Sequence, residues 1–226
     1  DDILKAICFV IQQEVMGKEI QRLQTESNAG AQLAKVYFDL GNLMTAKRDF
    51  EQAASCFQKS LEFMPNFIKS AFNLGVCYEI LGQHKEALGV YSKLASDFPR
   101  SAKYVYKMGA SQLKTGVEDL ALIAFEKAIV QDPYFASALL AAGAIYGNRG
   151  DFDRTIEYSK RVIKKNPSTL RAYQNVAVAL MRQNKTGEAL SFVEQGLQVD
   201  PRDSTLLQLK QSLLTAIQHD PTHTLR

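Results

Sequence analysis

Lys35, Lys69 and Lys103 stand 34 residues apart, and Phe38, Phe72 and Tyr106 follow three places behind them. Ammonium groups attract carboxylates and aromatic rings hold apolar side chains, so this pairing suits an acidic ligand with apolar anchors. A single-stranded RNA would use the same residues differently, with bases on the rings and phosphates on the lysines. Asp39 and Glu79 offset the lysines, and a net charge of +3 is too small to favour nucleic acid. Covalent chemistry has no comparable basis. Of the three histidines, His84 falls in a predicted turn and His219 and His223 in a polar tail, so none stands beside a nucleophile. Cys8, Cys56 and Cys77 are odd in number and show no C-x-x-C spacing, against a disulfide framework or zinc site and for a reducing compartment. Asp151-Phe152-Asp153 lacks the further oxygen ligands of a calcium loop and reads as a solvated turn. Asn184-Lys185-Thr186 is a formal glycosylation sequon in another turn, a coincidence in a reducing compartment. Nucleophile elbows, Walker-type loops and H-E-x-x-H helices are absent from the sequence. The expectation is a protein that is not an enzyme, with no cofactor and no metal.

Whatever positions the lysines and rings must be a folded scaffold. The 226 residues are 46% apolar and 23% charged, ordinary values for a globular chain with a sizeable core. No apolar run approaches the roughly 18 residues that span a bilayer. The sequence opens Asp1-Asp2 without a methionine and reads as a piece of a longer protein. A cytoplasmic location is expected, with any leader or anchor upstream left open.

The 34-residue spacing extends well beyond the lysines. Pro65, Pro99, Pro133, Pro167 and Pro201 share it, as do Gly41, Gly75, Gly109 and Gly143, with Ala177 as the fifth member. Ala53, Ala87, Ala121, Thr155 and Ala189 form another column, and Phe57, Tyr91, Phe125, Ser159 and Val193 a third. Each block reads as two helices. In 68–101, Ala71, Leu74, Gly75 and Tyr78 make one amphipathic stripe, Gly82-Gln83-His84 interrupts it, and Ala87, Val90, Tyr91 and Leu94 make a second. Gly82, Gly116 and Gly150 suit the left-handed geometry of a helix C-terminus, and the prolines close each second helix. The small columns let helices approach closely while the aromatic column fills the space beside them.

These columns resemble those of the tetratricopeptide repeat (TPR) family over residues 34–203. The resemblance implies an all-α solenoid, a right-handed superhelix of antiparallel helix pairs, in five repeats: 34–67, 68–101, 102–135, 136–169 and 170–203. A pentatricopeptide array would need a 35-residue period and lacks the proline column. Thr155, Ser159 and Gly196 depart from the pattern and predict looser packing in the last two repeats. Residues 204–226 read as a capping helix and tail, from Leu206, Leu207, Leu213 and Leu214 among polar residues. Residues 1–33 read as a degenerate first repeat or helical cap. Their stripe of Ile3, Ile7, Val10, Ile11 and Val15 also allows helix 3–16 to occupy a groove or a second copy, giving a homo-oligomer.

In this family the inner face comes mainly from the first helix of each pair. The resemblance therefore places Lys35, Phe38, Asn42, Lys69, Phe72, Asn73, Lys103, Tyr106 and Lys107 in one peptide-binding groove. Some members clamp acidic chaperone tails. Asn42, Asn73 and Lys103 match that clamp and Lys107 stands where arginine is usual, but Phe38 replaces its first lysine. The function expected is a non-catalytic adaptor holding an acidic and apolar peptide segment, or a partner helix, without nucleic acid or membrane insertion. A self-assembling scaffold, or the targeting region of a larger enzyme or chaperone co-factor, is the alternative.

Overall fold

The computed structural model describes residues 29–218, so the readings made for residues 1–28 and for the tail beyond 218 lie outside the described residues. Within them the chain forms only α-helices: α1 (Ala29–Ala46), α2 (Phe50–Phe63), α3 (Ile68–Ile80), α4 (His84–Asp97), α5 (Ala102–Lys114), α6 (Glu118–Gln131), α7 (Ala136–Asn148), α8 (Phe152–Lys165), α9 (Leu170–Arg182), α10 (Thr186–Val199) and α11 (Ser204–Gln218). They fall into two compact units, Asp1–Asp97 and Phe98–Arg226, whose described parts carry α1–α4 and α5–α11.

The first unit holds two helix pairs. α1 and α2 lie against each other because Gly41 admits the Phe57 ring; a Cβ on Gly41 would sit 2.6 Å from the nearest ring atom. Gly75 of α3 meets Tyr91 of α4 in the same way, at 2.7 Å. The seam between the pairs is polar and satisfied. The Ser70 hydroxyl donates to Ser60 Oγ at 2.7 Å, and Ser60 donates in turn to the Ala34 carbonyl. Gln58 Nε2 donates to the Tyr78 hydroxyl at 2.7 Å. α2 starts at Asp49, whose carboxylate accepts from the Gln52 backbone N–H and satisfies one otherwise orphaned donor.

In the second unit Gly109 of α5 approaches Ala124 and Phe125 of α6. The following pair, α7 and α8, is built differently. Ser159 replaces the aromatic residue, and a Cβ on Gly143 would find nothing nearer than 3.8 Å. Thr155 is buried, yet its hydroxyl donates to the Gly143 carbonyl at 2.9 Å. The neighbouring Tyr158 supplies the ring and turns it toward the preceding pair, where its hydroxyl donates to Glu126 at 2.8 Å beside that of Tyr146 at 2.9 Å. Arg149 closes the same seam with ion pairs to Glu118 and Asp119, both at 2.7 Å. Gly196 overturns its sequence reading. A Cβ there would lie 2.7 Å from Leu206 Cδ1 and 3.1 Å from Tyr173, so the glycine marks close contact of α10 with α9 and α11, not slack. α11 lays Leu206 and Leu213 into that core and leaves Leu207 and Leu214 exposed.

The turns inside the pairs share one geometry. Gly82, Gly116 and Gly150 have positive φ, as read from the sequence, and Arg48 and Asn184 complete the column at φ 62° and 60°. The sequon asparagine is thus the left-handed turn residue of the fifth pair. Asp151, half of the D-x-D sequence, caps α8 by accepting from the Arg154 N–H, while Asp153 accepts from Gln183.

Candidate functional site

In the first unit Lys35, in the second turn of α1, and Lys69, in the first turn of α3, are exposed, while Phe38 and Phe72 one turn later are half-buried. The rings serve core and surface together. Phe38 lies 5.9 Å from the buried Phe57 ring and Phe72 lies 6.0 Å from Tyr91, centroid to centroid. Lys35, Phe38 and Lys69 are brought together around an open depression of about 480 Å³, with Asp39, Phe67 and Ile68 also on its wall. Asn42 and Asn73 meet nearby on the same two helices, the Asn73 amide donating to Asn42 Oδ1 at 3.0 Å. The bond fixes the orientation of both amides and leaves the Asn42 amino group and the Asn73 carbonyl with unused capacity.

Phe67 is the lining residue that sequence reading missed. It closes the first block, in the turn before α3, and its ring sits 5.0 Å from Phe38. Its counterpart 68 residues later, Phe135, lies 5.4 Å edge-on to Tyr106. The signal was available as an aromatic residue ending the first and third blocks, 29 places after each ladder ring.

In the second unit, taken by itself, Lys103 is exposed and Tyr106 and Lys107 are half-buried on α5. The Tyr106 ring packs 5.5 Å from Phe125. The structure therefore brings the proposed groove residues together as two sets, six on α1 and α3 and three on α5.

Other reactive groups lie apart from these sets. Cys77 is buried, and burial pushes its thiol pKa up despite a hydrogen bond with Thr45, so the thiol stays protonated near neutrality. Among the described residues no group of three histidine, cysteine or carboxylate side chains is placed to hold a metal ion. No helix among them is long and apolar enough to cross a membrane.

Tetratricopeptide repeat family models match residues 34–67, 56–89, 137–169 and 169–199. Among curated proteins, Hsp70-Hsp90 organizing protein 3 of Arabidopsis thaliana is 22% identical over 198 residues, covering 71% of this chain. The chain spans only 36% of that relative's length. Among solved structures, MamA aligns with a TM-score of 0.68 at 25% identity, covering 77% of this chain and 95% of that one. YrrB, described as a TPR protein with an unusual peptide-binding site, aligns at 0.65 and 20% identity, covering 88% and 98%.

Proposed function

The chain belongs to the tetratricopeptide repeat family, and from that premise we propose that it is a non-catalytic adaptor whose α1–α3 face holds an acidic peptide segment with apolar anchors. The repeats themselves imply a protein-interaction role. The finer reading is carried by one observation: two exposed lysines flank a depression floored by half-buried rings. An extended segment laid there would set carboxylates against Lys35 and Lys69 and an apolar side chain against Phe38 and Phe67. The Asn42–Asn73 pair would offer one donor and one acceptor to its backbone. Lys103, Tyr106 and Lys107 form a second set on α5, again cationic and aromatic but without the asparagines.

The test is a fluorescence-binding screen with peptides rich in Asp and Glu that carry Leu or Phe, beside basic controls of equal hydropathy. Acidic peptides should bind, with on-rates that fall as salt is added, because steering is screened over a Debye length of roughly 8 Å at physiological ionic strength. Lys35→Glu with Lys69→Glu should abolish that preference without loss of fold, since both side chains are exposed. Equal binding of acidic and basic peptides, or indifference to the charge reversal, would reject the reading.

A further inference from the structure

One helix of the second unit carries an apolar stripe on its solvent side. Leu120, Ile123 and Val130 of α6 are 50%, 64% and 80% exposed, and Val130 is the most exposed large apolar side chain among the described residues. Their spacing sets all three on one side of the helix, turned away from the buried Ala121, Phe125 and Ala128. The period supplies the comparison. In α8 the same places hold Arg154, Glu157 and Lys164, and in α2, α4 and α10 they hold only glutamine, glutamate, serine and glycine. The other second helices keep this side polar, and an apolar stripe against that background marks an interaction surface.

The stripe is built to meet itself. Lys127 completes it, exposed between Ile123 and Val130, with a carbon stem that adds apolar area while the ammonium reaches water. Positions 120, 123, 127 and 130 are spaced three, four and three, an order that reads the same in both directions about Phe125. An antiparallel copy would lay Leu120 on Val130 and Ile123 on the Lys127 stem, twice over. A parallel copy would instead stack Lys127 on Lys127.

The charges of α8 favour the same arrangement. α8 lies beside α6 and runs the same way, since Tyr158 bonds Glu126 and, further along both, Lys165 lies over the Tyr134 ring. On the side equivalent to the stripe, Asp153 and Glu157 come first and Arg161 and Lys164 follow. The two-fold axis that pairs the α6 stripes passes level with Ser159, 34 residues after Phe125. It sets Glu157 of each copy opposite Arg161 of the other, and Asp153 near Lys164. Within one copy Glu157 stands 3.6 Å from Arg161 and its side chain is 62% exposed, so the carboxylate has room for a second cation.

We infer that a second copy of this chain docks antiparallel on the outer face of α6 and α8, giving a two-fold dimer. One stripe and its charged neighbour make a small interface, so association should be weak and concentration-dependent. The face is separate from the α1–α3 set, and the inference does not rest on the peptide reading.

The test is sedimentation of the full chain from about 1 μM to about 300 μM, the range in which a small interface forms and dissociates. The mass should rise from monomer toward dimer. Ile123→Lys should weaken association by about tenfold or more, with helix content by circular dichroism unchanged because the side chain is exposed. Glu157→Arg and Arg161→Glu should each associate more weakly alone, while an equal mixture of the two regains the dimer. Only the mixed pair sets opposite charges across the axis. A monomer at every concentration would overturn the inference and leave the face to a different partner. So would a dimer indifferent to Ile123→Lys, or a mixture no more dimeric than its components.

Discussion

Alanine at Gly143 should stabilise the protein, and alanine at Gly75 should not. Both glycines lie inside the first helix of a pair, where alanine is preferred by about 1 kcal/mol. What differs is the neighbour. At Gly143 the new Cβ would find Tyr158 Cβ at 3.8 Å and the Thr155 backbone at 3.9 Å, ordinary contact distances, so the helix preference is realised in full. At Gly75 it would sit 2.7 Å from two carbons of the Tyr91 ring, which is fully buried and held between helices. Relieving that overlap costs about 1–3 kcal/mol, which cancels or exceeds the gain. The two variants should therefore differ by about 1–3 kcal/mol, or roughly 3–10 °C in melting temperature for a chain of this size. Calorimetry measures the difference, and hydrogen exchange at each pair shows where it arises, because neighbouring repeats can open separately. Equal upward shifts at both positions would refute the claim that the Tyr91 ring fixes the approach of α3 and α4.

Arg48→Gly should raise stability by about 0.5–1 kcal/mol in urea unfolding, because relief of the left-handed strain exceeds the added freedom of the unfolded chain. Ser159→Ala should leave stability unchanged or raise it by about 1 kcal/mol, since the buried hydroxyl has no hydrogen-bond partner. Tyr158→Phe should cost about 1–3 kcal/mol at neutral pH by removing the hydrogen bond to Glu126. Burial, with the Glu126 carboxylate second, raises the Tyr158 pKa above its ordinary value, so stability from this group is full below about pH 10 and is lost as pH rises beyond. The variant should show a shallower alkaline loss in a pH series of melting curves.

The repeat was legible because its columns are selected by contact. A ring facing a glycine, a proline closing a helix and a glycine turning left each demand a residue type, so the types recur at the period. What stayed hidden is set by surroundings. Arg48 and Asn184 adopt the same left-handed turn as Gly82, but their identities do not announce it. Tyr158 takes over from the aromatic column one place early and faces the other way, which a column-by-column comparison registers only as a missing ring at Ser159. Gly196 looked like lost packing because the side chain filling its place, Leu206, comes from a helix beyond the last repeat. In the site, the family resemblance named Lys35, Lys69, Phe38 and Phe72, but the sequence did not tell whether the rings belong to core or surface, and they stand half-buried between the two. Phe67 escaped because it stands in the turn, where the pattern prescribes no residue type.

The two polar seams also bear on misassembly. Modules of equal length and shape can dock out of order during folding, since the glycine-to-ring contacts of the first three pairs recur at 34 residues and do not tell one pair from another, and repeat proteins are prone to that error. The seams do not survive such a shift. Between the first two pairs the fit depends on Ser60, Ser70, Gln58 and Tyr78. Between α5–α6 and α7–α8 it depends on Glu126 held by two tyrosines and Arg149 held by two carboxylates. A mispaired module would leave the buried Ser70 and Tyr158 hydroxyls without partners, at about 1–3 kcal/mol for each. The seams thus act as a code for neighbour identity, which discriminates among modules that the apolar core treats as equivalent.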